Sequence, residues 1–160
     1  RILGVTESAY ALDGLTVEVI ADGCHLPPEL LRMIVKCKGV DRVIMVTDSL
    51  RPAGLDVRTA ISGSREDGQV CIIEDGVAKL PDRSAFAGSI ATADRLVRTM
   101  WKRAGVPLPD VIRMMCENPA RLLHLEGRKG RLLSGHDADI VLFDEDVRVH
   151  GVYYAGRRVS

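Results

Sequence analysis

Residues 16–21 (TVEVIA) alternate β-branched and other positions until Asp22-Gly23 breaks the run, which predicts a strand ending in a loop. Pro27-Pro28 then opens a helix whose apolar positions, Leu30, Leu31, Ile34 and Val35, run with Lys38 up to Gly39. Residues 42–47 (RVIMVT) form a nearly continuous apolar run of the kind that fills a parallel sheet covered on both faces. Strand, helix and strand within about 25 residues is the βα repeat of doubly wound sheets and (β/α)8 barrels, so the predicted class is α/β. Both architectures place their chemistry at the C-terminal ends of the strands.

The pattern then changes. Gly54, Gly63, Gly68 and Gly76 punctuate the next stretch, and QVCIIEDGVAKL carries a hairpin turn, Asp75-Gly76, between two short strands. This predicts a β-hairpin insertion near 60–82. Helical periodicity returns over 90–104 (Ala93, Leu96, Val97, Met100, Trp101) and over 109–116, with Asn118-Pro119 expected to break it before a short turn of helix at 120–124. The tail reads as strands, DADIVLFD and VRVHGVYYAGRRV, with a tight turn at Ala155-Gly156.

Composition narrows the function. The 160 residues carry 22 Lys plus Arg against 22 Asp plus Glu, so bulk charge points to no partner, and 46% hydrophobic content excludes disorder. Unbroken apolar runs reach about four residues, far short of the roughly 20 that cross a bilayer, so no membrane span is expected. The opening RILGVTESAY has neither a Met nor the pattern of a signal peptide and reads as internal to a longer chain. Cys24, Cys37, Cys71 and Cys116 form no CxxC, and the four histidines form no HxH or HxxxH, so spacing offers no zinc site. These cysteines sit in apolar stretches or beside turns, which fits reduced thiols and a cytoplasmic setting.

Asp48 ends the buried strand, where barrel enzymes place general bases and metal ligands and where a carboxylate is costly to solvate; the other reading is a turn or capping Asp. His25 follows the first strand at the equivalent place and is a candidate for substrate or metal binding, or else a loop histidine. If the two strands are adjacent and parallel, both residues converge on one site. Phe86-Ala87-Gly88-Ser89 offers small residues and backbone N–H groups to a ligand, or a Ser89 cap for a helix starting at Ile90. Arg128, Lys129, Arg131, Arg157 and Arg158 alternate with glycine and apolar residues, and with 4% aromatic content they read as a solvated face with no nucleic acid partner. No nucleophile elbow surrounds Ser62-Gly63-Ser64, and no P-loop or GxGxxG is present.

Several segments, taken in order, carry a resemblance: IADGCH (20–25), VTDSLRPAG (46–54), FAGS (86–89), ENPARLLHLEGRKGRLLSGHDADIVLFD (117–144) and the closing VYYAGRRV. They resemble the amidohydrolases, and within them the N-acetylglucosamine-6-phosphate deacetylases. The resemblance implies the C-terminal part of an amidohydrolase (β/α)8 barrel with strands of the small β-sandwich domain. Residues 1–130 would be later βα units and 131–160 strands of the small domain, since a whole barrel takes about 250 residues. Asp48 would be the catalytic aspartate, first taking a proton and later returning one to the leaving amine in metal-assisted amide hydrolysis. His25 would hydrogen-bond the sugar, and Phe86, Ala87 and Gly88 would form a pocket-lining loop after the insertion. Arg1, in an Arg-x-x-Gly segment with Gly4, would reach the substrate phosphate of a neighbouring subunit. Ser49, where Ala is common, and Cys24, where an aliphatic residue is common, are mild departures. The implied cofactor is a divalent metal ion, zinc or similar, with its Glu and two His ligands upstream of Arg1. The implied partners are a phosphorylated amino sugar and further copies of the chain in a homo-oligomer. The implied reaction releases acetate from N-acetylglucosamine 6-phosphate, with another N-acetyl amino sugar phosphate, or a non-catalytic self-associating fragment, as the alternatives.

Overall fold

Two short strands, β1 (Val17–Ile20) and β2 (Val43–Val46), pair in parallel, with Val17 opposite Val43 and Ile20 opposite Val46. This is seen in a computed structural model that describes residues 2–64 and 66–160, so the Arg1 candidate lies outside the described residues. Parallel neighbours need a crossover, and α2 (Pro28–Lys38) supplies it. Proline is tolerated at its first turn because that N–H has no helical acceptor, and Gly39 ends it at φ 75°. Leu31 and Ile34 of α2 join Val19, Val43 and Met45 of the strands in the buried core.

Lys38 lies buried at the end of the same helix. Its Nζ donates to the carbonyls of Ala9 at 2.8 Å and Leu12 at 2.9 Å, at the C-terminal end of α1 (Val5–Ala11). A cation is favoured at that end of a helix dipole. Since α1 buries none of its own residues fully, this anchor and the half-buried Tyr10 hold it to the core.

The insertion is larger than one hairpin. Strands β3 (Thr59–Ser62), β4 (Gln69–Glu74), β5 (Val77–Lys79) and β6 (Phe86–Gly88) form an antiparallel sheet in sequential order. The predicted turn joins β4 to β5, with Asp75 at φ 53° and Gly76 at φ 76°, the paired left-handed residues that match hairpin twist. Phe86–Gly88 is therefore the last strand of this sheet and not a loop after it. Three residues are too few to show alternation, and the pairing is closed by the Leu80 N–H on the Ala85 carbonyl at 2.9 Å.

The next helix, α3 (Ala93–Arg98), starts three residues later than the periodicity predicts. Ser49 and Ser89 form a parallel bridge and the Leu50 N–H donates to the Ser89 carbonyl at 2.9 Å, which holds the start of this segment extended. Ser89 consequently caps no helix; its Oγ accepts the Ala91 N–H at 3.0 Å, and Thr92 takes the N-cap position. A π turn (Thr99–Arg103) follows, then α4 (Leu108–Ile112), a second π turn (Arg113–Glu117) and α5 (Asn118–Leu122). Asn118-Pro119 does not break this helical run as expected. Proline lacks the donor for the carbonyl four residues back, and the wider π turn before it accommodates that missing bond.

Strands β7 (Ile140–Phe143), β8 (Val149–Tyr154) and β9 (Arg157–Arg158) form a separate antiparallel sheet, as the tail pattern predicts. It is tied to α3 by Arg98, which donates to the carbonyls of Asp146 and Val147, each at 2.8 Å, while Val147 enters the core cluster. Among the described residues no helix is long and apolar enough to cross a membrane.

Asn118 fastens the helical layer to the sheet: it is 2% exposed and its Nδ2 donates to the carbonyls of Val40 at 2.8 Å and Val43 at 2.7 Å. Asn118→Ala removes this donor from both carbonyls and should cost about 1–3 kcal/mol in urea unfolding; an unchanged midpoint would refute the fastening role.

Candidate active site

Because β1 and β2 are parallel and in register at Ile20 and Val46, the segments that follow leave one common edge. His25 and Asp48 are thus brought to the same end of the sheet, as the strand reading requires. A cleft between Thr16, Arg42, Asn118 and Arg121 opens at the other end of the strands and contains none of the candidates.

Asp48 differs from expectation in one respect: it is exposed, not a carboxylate withheld from solvent. The strand ends at Val46, so two further residues carry Asp48 clear of the sheet edge. Its backbone sits at φ 46°, a left-handed conformation that Asp tolerates better than most residues. The bend delivers Ser49 to its bridge with Ser89, and Ser49 Oγ donates to the Ala91 carbonyl.

The buried carboxylate belongs to Asp22, at 0% exposure. Its Oδ1 accepts the N–H groups of Cys24 at 2.8 Å and His25 at 2.9 Å, and its Oδ2 lies 2.9 Å from His25 Nδ1. Burial pushes the Asp22 carboxyl up, but the His25 and Cys24 N–H donors and the His25 ring outweigh it and hold it below the ordinary carboxylate value. An ionised carboxylate only accepts, so the His25 Nδ1 carries the proton in this contact and Nε2 is left as the other polar atom of the ring. Position after the first strand points to His25 and not to Asp22; the Asp-x-x-His spacing, short enough for one loop to fold back on itself, is the signal that finds it.

Phe86 packs edge-on to the His25 ring, with centroids 5.2 Å apart at 64°. Gly88 stands at φ 148°, and a Cβ there would meet Leu50 Cγ at 2.9 Å, so only glycine lets β6 approach the Asp48 loop this closely. Ala87 is half-buried between them. The structure therefore joins His25 to Phe86 and the Asp48 loop to Gly88–Ser89.

No group of three or more His, Cys, Asp or Glu is placed to hold a metal ion among the described residues, so these side chains do not by themselves fit the divalent site that the family resemblance implies. The basic run near the tail is neutralised: Arg128 pairs with Asp137, Lys129 with Asp137 and Asp139, and Arg131 with Glu117.

The Asp22 contact sets a pH dependence. Its folded pKa is depressed, so its contribution is full above the unfolded value near 3.9 and is lost as pH falls through the lower folded one. Asp22→Asn should destabilise the fold at neutral pH, and the gap to the parent protein should narrow as urea titrations are repeated toward pH 3; a gap independent of pH would refute an ionised Asp22.

The sequence pattern of the Amidohydrolase family matches residues 3–159. N-acetylglucosamine-6-phosphate deacetylase of Lysinibacillus sphaericus is 33% identical over 154 residues, covering 96% of this chain and 38% of that protein. N-acetylgalactosamine-6-phosphate deacetylase of Escherichia coli O157:H7 is 31% identical over 145 residues, covering 90% of this chain and 37% of that protein. The crystal structure of N-acetylglucosamine-6-phosphate deacetylase from Thermotoga maritima superposes with a TM-score of 0.87 at 32% identity, over 98% of this chain and 42% of that one. The chain thus spans about two-fifths of the length of these relatives, and the α/β class with a partial barrel and an added sheet is the fold it shares with them. On its sequence pattern and its structure together, the chain belongs to the amidohydrolase family.

Proposed function

We propose that this chain is the sugar-facing and proton-transferring portion of a deacetylase that cleaves N-acetylglucosamine 6-phosphate to glucosamine 6-phosphate and acetate. The observation that carries the reading is the parallel register of β1 and β2, which sets His25 and Asp48 at one edge with β6 against both loops. The names of the Lysinibacillus and Thermotoga relatives support the substrate.

Asp48 does the proton work. As the C–O bond to the attacking water forms, its carboxylate takes a proton; as the amide C–N bond breaks, it gives one to the amine nitrogen. His25, fixed by Asp22, offers Nε2 to a sugar oxygen, and Phe86 presents an apolar ring beside it. Amidohydrolases generally need a metal, and a divalent ion such as zinc would supply an activated water; its ligands are assigned to the remaining length of the full enzyme, since the described residues do not provide them. Arg1 is the candidate for the phosphate of a neighbouring copy's substrate. Four free thiols agree with a reducing cytoplasm.

The galactosamine relative supports a second substrate reading, which comparison of kcat/KM on the two acetylated sugar phosphates separates.

In the full-length enzyme, Asp48→Asn should lower acetate release by about 10²–10⁴-fold while metal content and the unfolding midpoint stay at the parent values. Undiminished turnover would remove Asp48 from the chemistry.

A further inference from the structure

We propose that Arg95 is a positioning residue for this site, locking the tip of the β4–β5 hairpin to the loop that carries His25. The inference rests on the assignment of His25 to the sugar.

Arg95 stands on α3, half-buried, and every nitrogen of its guanidinium has a partner. Nε donates to the Asp22 carbonyl at 3.1 Å, Nη1 to the Gly76 carbonyl at 2.6 Å and Nη2 to Cys24 Sγ at 3.0 Å. Cys24 Sγ in turn lies 3.6 Å from the Asp75 carbonyl, which closes a ring between hairpin tip and His25 loop. The contact holds no carboxylate, so its content is shape: a rigid fork satisfying two carbonyls and a thiol from two segments, which the single ammonium of lysine cannot reproduce. Gly76 is fitted to it, for a Cβ at that position would meet Nη1 at 3.0 Å.

The geometry reaches His25 from two sides. Arg95 holds the backbone carbonyl of Asp22, whose carboxylate holds the ring, and it holds the hairpin whose sheet carries Phe86 onto the same ring. Asp48 is secured separately through Ser49 and Ser89. Loss of Arg95 therefore loosens sugar binding and leaves the proton-transfer residue in place.

The test uses the full-length enzyme with Arg95→Met, Arg95→Lys and Gly76→Ala, the last straining the left-handed turn at the hairpin tip as well as crowding the guanidinium. Arg95→Met and Gly76→Ala should each raise KM for N-acetylglucosamine 6-phosphate about tenfold with kcat little changed, and Arg95→Lys should recover only part of that loss. The double variant Arg95→Met/Gly76→Ala should be no worse than the more affected single one. Unchanged KM, or a fall in kcat alone, would overturn the proposal. Hydrogen exchange is read in the same proteins: amides of residues 22–25 and 75–77 should exchange faster together in Arg95→Met, and slow exchange at both would overturn the lock. If the parent enzyme leaves the sugar phosphate untouched, the functional reading fails, and the exchange experiment still decides whether Arg95 couples the two segments.

Discussion

Everything at the candidate site depends on two four-residue strands running parallel. Had β1 and β2 been antiparallel, Asp22 to His25 and Asp48 would leave opposite ends of the sheet, and no adjustment of their loops could reunite them. Parallel pairing in turn demands a crossover long enough to return the chain, which is why α2 lies between the strands and why its Leu31 and Ile34 face the core. The site is a by-product of covering both faces of a parallel sheet, and its residues need only occupy the positions just beyond the last ladder bonds.

The two carboxylates at that edge have been given opposite environments. Asp22 is buried, ionised and saturated with donors from its own loop, so its charge is committed to fixing the tautomer and tilt of His25. Asp48 is in solvent on a left-handed turn, with its backbone held by neighbours and its carboxylate outside the core. On the proposed function, Asp22 would serve as support and Asp48 as reagent.

Local signals in the sequence were enough for β1, α2, β2 and the Asp75-Gly76 turn, because periodicity, proline and glycine act within a few residues. The resemblance placed His25, Asp48 and the Phe86–Gly88 segment, and the first two fell at the predicted strand ends. What could not be read were features set by distant partners. The late start of α3 follows from the Ser49 bridge to Ser89, forty residues away in order of magnitude; the survival of the helix through Pro119 follows from a π turn that no pattern announces. The exposure of Asp48 depended on where β2 would stop, and strand ends are the least determined part of any pattern. Arg95 carries no local signal, since its partners lie 73, 71 and 19 positions away.

Two glycines show how the inserted sheet becomes part of the site. Gly76 admits the guanidinium of Arg95 to the hairpin tip, and Gly88, opposite Ala78 on the edge strand, admits Leu50 against β6. A body held at a single point can swing, whereas one held at two separated points keeps its orientation, and Phe86 lies on the same strand as Gly88, opposite Lys79. The edge-on contact of Phe86 with His25 is then a consequence of the docking, worth only about 0.5–1.5 kcal/mol beyond its area and too weak to orient a four-stranded sheet by itself. Selection for a fixed aromatic wall beside His25 would therefore act on Gly76, Gly88 and Arg95 at least as strongly as on the aromatic ring.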